Sequence, residues 1–269
     1  MKEIEKNGRI ADSEETKESK EPAVRMDLPQ FCRRLAEEAE KLEIFLSETQ
    51  LGQFYDYYSL LIEWNTKMNL TAITEAEEVL IKHFADSLSL VKALPQIREQ
   101  HPCSVIDVGT GAGFPGLPLK IAFPWLRVTL LDSLNKRIRF LTEVCTHLRL
   151  EQIEAVHGRA EDFARQNVSR ETFDLCVSRA VANLSTLSEY CIPFVKVGGC
   201  FIPYKSGKAE AEIKEAAGAI QKLGGKLEGI TEFQLPNGDE RCLIVIRKVS
   251  ASKKIYPRKA GMPARDPLH

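Results

Sequence analysis

The chain lacks the features that would place it in a membrane, in a secretory pathway or among metal-stabilised small domains. Its 269 residues contain no apolar run near the ~18 residues that a membrane-spanning helix requires. The charged start of the chain contains no apolar segment typical of a secretory signal. We therefore expect a cytoplasmic protein that binds no membrane. A chain of this length buries enough surface to fold without disulfides or a bound metal.

Cysteine and histidine are too scattered to suggest a metal centre. The seven cysteines form no C-x-x-C pair, and the five histidines form no H-x-x-x-H pair. Most of the cysteines stand inside apolar runs, which predicts reduced and buried thiols. We expect no metal site.

The chain also lacks a net charge that would indicate a partner, since its formal charge is −1. The basic residues are nevertheless concentrated near the end, where seven cations between Arg247 and His269 face Asp266 alone. Such a basic tail indicates a local patch for a polyanion, although a solvated chain end has the same composition.

Polarity divides the chain into four regions. Residues 1–26 are polar and are interpreted as a disordered or frayed extension. Residues 27–98 carry apolar residues at helical spacing and are predicted to form a helical N-terminal region, in which Thr74 and Glu77 resemble a capping box that opens a third helix. Residues 99–249 alternate strand and helix patterns, and residues 250–269 form the basic tail.

The third region predicts an α/β fold with a Rossmann-like sheet. Its strand candidates are 103–108, 127–132, 153–157, 173–178, 199–204, 226–234 and 241–248, and its helix candidates are 116–123, 134–148, 160–166, 184–194 and 208–222. This alternation predicts a mostly parallel sheet with helices on both faces. The Asn-Gly pair at 237–238 predicts that the last two strands form an antiparallel hairpin.

A glycine-rich loop follows the first strand candidate. Glycines at 111, 113 and 116 match the dinucleotide fingerprint, with Asp132 about 20 residues further on. The same loop, read as Asp107-x-Gly-x-Gly-x-Gly, matches the pattern of methyltransferases. A methyl donor has no pyrophosphate but has a cationic amine and a sulfonium, which Asp107 could face. We favour the methyl donor over a dinucleotide, and a purely structural turn is the third interpretation.

Two further positions fit a bound nucleoside. Asp132 ends the second strand candidate, where its carboxylate could accept hydrogen bonds from both ribose hydroxyls of either cofactor. Ala160 and Glu161 follow the third strand candidate, where a backbone amide and a carboxylate could hold an adenine. Glu161 and Asp162 are equally explained as acids that favour the positive end of a helix.

Several segments, in the same order, resemble one family. They are EWNTKMNLT at 63–71, HFADS at 83–87, VIDVGTGAGFPG at 105–116, LDSLNKR at 131–137, VSRA at 177–180 and YPRKAGMPARDPL at 256–268. In these segments the chain resembles the bacterial 16S ribosomal RNA guanine-N7 methyltransferases, also called glucose-inhibited division protein B. The resemblance extends from about Tyr57 to Lys248 and includes the tail.

The resemblance implies a class I methyltransferase that uses S-adenosylmethionine on 16S ribosomal RNA or the small ribosomal subunit. Together with the loop pattern, it implies a donor pocket formed by Asp107, Gly109, Gly111, Gly113, Phe114, Asp132, Ser133, Ala160, Glu161 and Arg179. Together with the basic tail, it implies RNA-facing positions at Lys136, Arg137, Arg159, Lys205, Arg241, Lys253, Lys254, Arg258 and Lys259.

The chemistry of guanine N7 explains why no catalytic base is predicted. N7 has an in-plane lone pair and no proton, so it can attack a methyl group without a base, and catalysis would consist mainly of positioning. Arg179 is the candidate for orienting the donor or the base, because its planar fork suits phosphate and guanine O6. His83 and Asp86 are interpreted as a structural cap or interface pair rather than as catalytic groups.

Three alternatives remain open from the sequence. They are a methyltransferase acting on a small molecule or protein, a nicotinamide-dependent oxidoreductase, and a non-catalytic ribosomal RNA-binding assembly factor. We expect a monomer.

Overall fold

The computed structural model describes residues 26–179 and 182–269. The predicted extension at 1–26 lies outside the described residues except for Met26. Within the described part, no helix is both long and apolar enough to cross a bilayer. No group of side chains there is arranged to hold a metal ion. The seven cysteines form no disulfide among the described residues, and four of them are buried.

The helices surround a single sheet. Those before the sheet are α1 (Leu28–Glu40), α2 (Glu48–Asn65), α3 (Ala76–Val79), a π-helical turn (Leu80–Ala85), α4 (Asp86–Leu88) and two 3-10 turns (Ser89–Lys92 and Pro95–Arg98). Those between and after the strands are α5 (Gly116–Ala122), α6 (Asn135–His147), α7 (Ala160–Phe163), α8 (Leu184–Cys191), a 3-10 turn (Ile192–Phe194), α9 (Glu210–Lys222) and α10 (Met262–Arg265).

Seven strands form the sheet in the order β3-β2-β1-β4-β5-β7-β6. They are β1 (Cys103–Val108), β2 (Leu126–Asp132), β3 (Ile153–His157), β4 (Phe173–Arg179), β5 (Val195–Ser206), β6 (Gly225–Gln234) and β7 (Glu240–Lys248). Strands β1 to β5 are parallel, and β7 is antiparallel to both β5 and β6. The prediction of a mostly parallel sheet that ends in an antiparallel hairpin is confirmed. The chain order reverses between β1 and β4, which is where open α/β sheets bind ligands.

Strand β5 is longer than predicted. It begins at Val195, whereas the sequence pattern places its start at 199 because two glycines precede the apolar run. A register shift between Phe173 and Leu175 of β4 accommodates the extra residues, since Phe173 pairs with Val195 and Leu175 pairs with Cys200. A bulge of this kind is not visible in hydrophobic periodicity.

Alternating side chains of the central strands pack into two cores. Val105 and Val177 join the core that contains α1, α2, α5 and α6, whereas Ile106 and Cys176 join the core beneath α8 and α9. This alternation follows from the two-residue period of a strand. The N-terminal helices and the first face of the sheet therefore share one continuous hydrophobic core, although the secondary structure changes near residue 98.

The N-terminal helices begin and end for identifiable reasons. Ser47 and Gln50 form a capping box at the start of α2. The capping box predicted at Thr74 is wrong, since Glu75 occupies the N-cap of α3 and makes no side-chain cap bond. Glu77 instead accepts a hydrogen bond from Arg34 at 2.6 Å, so a tertiary ion pair replaces the local cap.

The connection after α2 is ordered by Asn65. Its Oδ1 accepts hydrogen bonds from the backbone amides of Leu70 at 2.8 Å and Thr71 at 3.0 Å. Trp64 packs against Phe140 of α6 with ring centroids 5.7 Å apart. The connection after α2 is thereby held against the sheet, with Thr71 in a defined position.

Candidate functional site

A cavity of about 680 Å³ lies at the carboxyl ends of β1, β2 and β4. This volume lies within the range of roughly 300–1,000 Å³ that is usual for small-molecule sites. The loop after β1 lines it with Gly109, Thr110, Gly111, Ala112 and Phe114. The remaining lining residues are Leu70, Thr71, His83, Val108, Leu131, Asp132, Ser133, Arg137, Gly158, Arg159, Ala160, Glu161, Arg179, Tyr190 and Gly261. Of the ten residues predicted to bind the donor, eight line this cavity.

Two glycines of the loop serve different purposes. Gly111 has φ of 63° and lines the cavity, where an added Cβ would meet only the carbonyl oxygen of Gly109 at 4.0 Å. Gly113 has φ of 103° and faces away, where an added Cβ would lie 2.7 Å from the hydroxyl of Tyr57. The nearest neighbour of that Cβ would be the side chain of Leu117 in α5. Gly113 is therefore required for packing of the loop against α2 and α5 rather than for contact with a ligand.

Asp107 supports the loop from behind and does not line the cavity. Its Oδ2 accepts hydrogen bonds from the Thr110 hydroxyl at 2.7 Å and from the Gly116 amide at 2.8 Å. Burial raises the pKa of Asp107 to about 6, and these two hydrogen bonds act in the opposite direction. The predicted direct contact of Asp107 and Gly113 with a donor is corrected to support of the loop, because both lie outside the lining.

Asp132 presents its carboxylate at the cavity wall while bound to the backbone on two sides. Its Oδ2 accepts from the Gly111 amide at 3.0 Å and from Arg137 Nη1 at 3.1 Å, and its Oδ1 accepts from the Leu134 amide at 2.9 Å. A carboxylate oxygen can accept two hydrogen bonds. Oδ1 can therefore accept a further one, and Oδ2 can do so where a ligand replaces Arg137. Arg137, predicted to contact RNA, lies in this cavity instead.

The third wall is formed by the turn after β3 and by the C-terminal segment. Glu161 is only 6% exposed, and its Oε1 accepts a hydrogen bond from the Gly261 amide at 2.9 Å. Tyr190 of α8 lines the same end of the cavity. The sequence pointed to Glu161 but not to Gly261, which is separated from it by 100 residues.

Arg179 closes the opposite end of the cavity. Its Nη1 donates to the carbonyl oxygen of Lys82 at 3.0 Å and to Asp86 Oδ2 at 2.9 Å. Its guanidinium carbon lies 5.0 Å from the centroid of the Phe114 ring, a distance that permits a cation–π interaction. Asp86 is 2% exposed and also accepts from Arg241 Nε at 3.2 Å. Asp86 thereby links the N-terminal helices to β4 and β7, as expected for a residue of a structural cap or interface pair.

The protonation of His83 follows from its two partners. Arg179 can only donate, so the 3.1 Å contact from its Nη2 requires an unprotonated Nδ1 on His83. His83 Nε2 then carries the proton and donates to the Thr71 hydroxyl at 2.9 Å. That oxygen also accepts from the Ile73 amide at 3.0 Å, which leaves its own proton available to the cavity. His83 therefore has no nitrogen available to act as a base.

The environment of His83 predicts a measurable pH dependence of stability. Burial and the charges of Arg179 and Lys82 lower its pKa from 6.5 to about 3, against the opposing effect of a backbone hydrogen bond at Lys82. Between pH 6.5 and about 3, His83 therefore binds a proton in the unfolded chain but not in the folded chain. The contribution of neutral His83 is present above pH 6.5 and is lost progressively as the pH falls toward about 3.

We expect this loss to reach about 2 kcal/mol of unfolding free energy between roughly pH 7.5 and pH 5. Urea titrations of the parent chain and of His83→Gln at both pH values would measure it as the difference between the two proteins. This subtraction cancels the contributions of other titrating groups to the free energy of unfolding. One of them is Asp107, whose raised pKa makes the folded chain less stable as the pH rises. The exposed His101, changed to Gln, is the matched control. Equal pH slopes for the parent and His83→Gln would contradict a buried neutral imidazole.

Apart from Arg137, the residues predicted to face RNA divide into two groups. Lys136, Arg159, Lys253, Lys254 and Lys259 are exposed, and Arg159 stands at the cavity wall. These five remain candidates for phosphate contact.

The other predicted cations are held in intramolecular ion pairs. Lys205 pairs with Glu212 at 2.6 Å, and Arg241 pairs with Asp86. Arg258 donates from Nη2 to Glu189 at 2.8 Å. The prediction of free phosphate-binding side chains is therefore not supported for Lys205, Arg241 and Arg258. An ion pair between distant segments has no local sequence signal, which is why the basic tail alone was misleading.

The cavity-lining residues that were not predicted from the sequence include Thr71, His83, Tyr190 and Gly261. Three of these stand inside the segments that carry the family resemblance, at 63–71, 83–87 and 256–268. Their position in those segments was the available signal. Only the packing of α2, the π-helical turn and the C-terminal segment around one cavity assigns them to it.

The family model and the curated relatives that match this chain carry the same description. Residues 50–243 match the family described as rRNA small subunit methyltransferase G. The chain is 58% identical over 224 residues to a "Ribosomal RNA small subunit methyltransferase G" of Lachnoclostridium phytofermentans, covering 83% of this chain and 91% of that protein. It is 51% identical over 237 residues to a protein of the same name from Desulforamulus reducens, covering 87% and 97% of the two chains.

Solved structures are similar at lower identity. One is a precorrin-6y C5,15-methyltransferase from Geobacter metallireducens, with a TM-score of 0.44 and 14% identity. The similarity covers 67% of this chain and 91% of that one.

Proposed function

The chain belongs to the rRNA small subunit methyltransferase G family, and from this premise we propose that it transfers a methyl group from S-adenosylmethionine to N7 of a guanine in 16S ribosomal RNA. The observation that carries the proposal is the placement of Asp132, Glu161 and Arg179 around one cavity behind a glycine loop. Because ribosomal RNA is made and assembled in the bacterial cytoplasm, we place the protein there.

The residues of the cavity fit the proposed donor. Asp132 Oδ1 has room for a hydrogen bond from a ribose hydroxyl, and Gly111 leaves the adjoining space open. Glu161 has one oxygen bound to Gly261 and a second oxygen that can accept from an adenine amine. When bound, the donor supplies an electrophilic methyl group on a sulfonium.

The acceptor side of the cavity suits a nucleophile that needs no deprotonation. Guanine N7 has no proton to lose, and both ring nitrogens of His83 are already bound. Thr71 can donate a hydrogen bond from its hydroxyl into the cavity, and Arg179 is held rigidly by Asp86 and His83. We propose that these side chains position the base in line with the methyl group, since orientation alone can contribute roughly 7–11 kcal/mol to lowering a barrier.

The target guanine must be accessible outside a regular helix. In duplex RNA, N7 lies in the deep and narrow major groove, which side chains cannot read. We therefore propose a target in a loop or a flipped-out nucleotide. The exposed cations Lys136, Arg159, Lys253, Lys254 and Lys259 are proposed phosphate contacts, which predicts affinity for RNA that falls steeply with salt.

A transfer experiment tests the proposal. The purified chain is incubated with methyl-labelled S-adenosylmethionine and small ribosomal subunits from a bacterial strain that lacks this modification, and N7-methylguanine is mapped by chain cleavage at the modified base. We expect label at one guanine of 16S RNA, none in large-subunit RNA and none in free guanosine. Binding to the subunits without transfer would contradict the enzyme and support an assembly factor. A melting-temperature shift with NADH but not with S-adenosylhomocysteine would support an oxidoreductase.

A further inference from the structure

The C-terminal segment 250–269 folds back onto the sheet domain. Lys248, which precedes it, is 1% exposed and bonds to Ser252 and to the carbonyl oxygens of Ile192 and Leu223. Arg170 donates to the carbonyl oxygens of Tyr256 at 2.8 Å and Ser252 at 2.9 Å. Lys248 and Arg170 thus hold the start of the segment against the sheet domain.

A buried ion pair holds the middle of the segment. Arg258 donates from Nε and Nη2 to the two carboxylate oxygens of Glu189, at 3.0 Å and 2.8 Å, and Glu189 is fully buried in α8. Arg165 adds a hydrogen bond to the carbonyl oxygen of Pro257 at 2.7 Å. Paired charges of this kind are costly to separate, so the segment has a defined position.

This anchoring places Gly261 at the cavity. Gly261 has φ of 81°, a left-handed conformation that favours glycine, and its amide donates to Glu161 Oε1 at 2.9 Å. Directly beyond it, the carbonyl oxygen of Pro263 accepts from the Thr186 hydroxyl at 3.0 Å. The turn around Gly261 is therefore fixed on both sides, and it presents an amide to a carboxylate in the cavity wall.

We propose that the C-terminal segment is part of the methyl-donor site, in which the Gly261 amide fixes Glu161 so that its second oxygen accepts from the adenine amine. Glu161 is nearly inaccessible and has one oxygen already bound, so the orientation of the other oxygen is set by the segment. This inference rests on the proposed function. It assigns Gly261 a positioning role at the donor site. The exposed lysines of the same segment have a different proposed role, which is contact with RNA phosphates.

Two reciprocal variants test the assignment. Ending the chain after Lys259 removes Gly261 but keeps Lys253, Lys254, Lys259 and the pair of Arg258 with Glu189. The triple change of Lys253, Lys254 and Lys259 to Ala keeps Gly261 and removes the exposed charges. Binding of S-adenosylhomocysteine is measured by calorimetry, and binding of 16S RNA fragments by filter retention.

We expect the shortened chain to bind S-adenosylhomocysteine about ten-fold more weakly, as for the loss of one hydrogen bond to a charged group. Its RNA affinity should be unchanged. The triple variant should show the reverse. Its affinity for S-adenosylhomocysteine should be unchanged, whereas its affinity for RNA should be lower and should depend less steeply on salt concentration.

A single substitution avoids the new chain end. Gly261→Ala keeps the amide but strains the left-handed turn, although an added Cβ meets no atom within 4 Å. Gly238→Ala is the matched control, since Gly238 has φ of 85°, equally open space and no contact with the cavity. We expect about five-fold weaker donor binding for Gly261→Ala only, with a similar loss of stability for both.

The outcomes separate this inference from the proposed function. If the parent chain does not bind S-adenosylhomocysteine, the proposed function fails. If the parent binds and both Gly261 variants bind equally well, only the role of the C-terminal segment is overturned. A loss of RNA affinity in the shortened chain without a loss of donor affinity would assign the segment to the RNA instead.

Discussion

Replacing Asp132 by Asn is expected to weaken binding of S-adenosylhomocysteine about 100-fold, because the amide offers one acceptor oxygen where the carboxylate offers two. In the folded chain, Gly111, Leu134 and Arg137 all donate to this carboxylate. The amide nitrogen of Asn would face one of these donors without an acceptor. The loss therefore combines a weaker hydrogen bond to the ribose with a distorted glycine loop.

Calorimetric titration with S-adenosylhomocysteine measures this loss without RNA. The matched control is Asp162→Asn, which removes an exposed carboxylate from the first turn of α7 outside the cavity lining. We expect its donor affinity to match that of the parent chain. If Asp132→Asn also binds as tightly as the parent, the ribose lies elsewhere and the assignment of this pocket is wrong.

Replacing Arg179 by Ala is expected to lower kcat for methyl transfer about 100-fold, the loss typical of a misplaced reacting group. Arg179 connects Asp86, His83 and the ring of Phe114, so its removal frees His83 Nδ1 and loosens the wall that faces the base. The dissociation constant for S-adenosylhomocysteine should change far less, since Asp132 and Glu161 lie at the other end of the cavity. Arg179→Lys should recover little, because one ammonium cannot reproduce a planar fork.

Arg241 offers a matched control for this prediction. It donates to the same Asp86 carboxylate and is 17% exposed, against 14% for Arg179, but it does not line the cavity. Arg241→Ala should therefore reduce stability to a similar degree and leave kcat nearly unchanged. If the two variants lose kcat equally, the loss comes from breaking a contact with Asp86 and from the lower stability that follows. Arg179 would then have no separate role in orienting the reactants.

Much of the fold was predictable because hydrophobic periodicity reports burial directly. A strand alternates with a period of two, so adjacent residues such as Val105 and Ile106 must face opposite sides of the sheet, and they pack in different cores. The bulge opposite Val195 was not predictable, because the register depends on the neighbouring strand. The failed capping box at Thr74 has the same origin, since Glu77 is paired with Arg34 of another helix.

The sequence predicted those parts of the candidate site that are formed by the end of a strand and the loop that directly follows it. Asp132 and the glycine loop stand at adjacent strand ends, so the sheet order alone brings them together. Thr71 and Gly261 reach the cavity from segments outside the sheet. Their assignment required the tertiary packing of α2 and the C-terminal segment.

The amino-acid sequence alone determined the strand and helix pattern, the glycine loop and the acid at the end of β2, because each depends on residues that are close along the chain. The tertiary structure alone decided which cations remain exposed and which are bound. Arg241 and Asp86 are separated by 155 residues, and Arg258 and Glu189 by 69. Opposite charges so far apart attract only once folding brings them within a few ångströms and removes water, so no local pattern could distinguish an RNA contact from an internal ion pair.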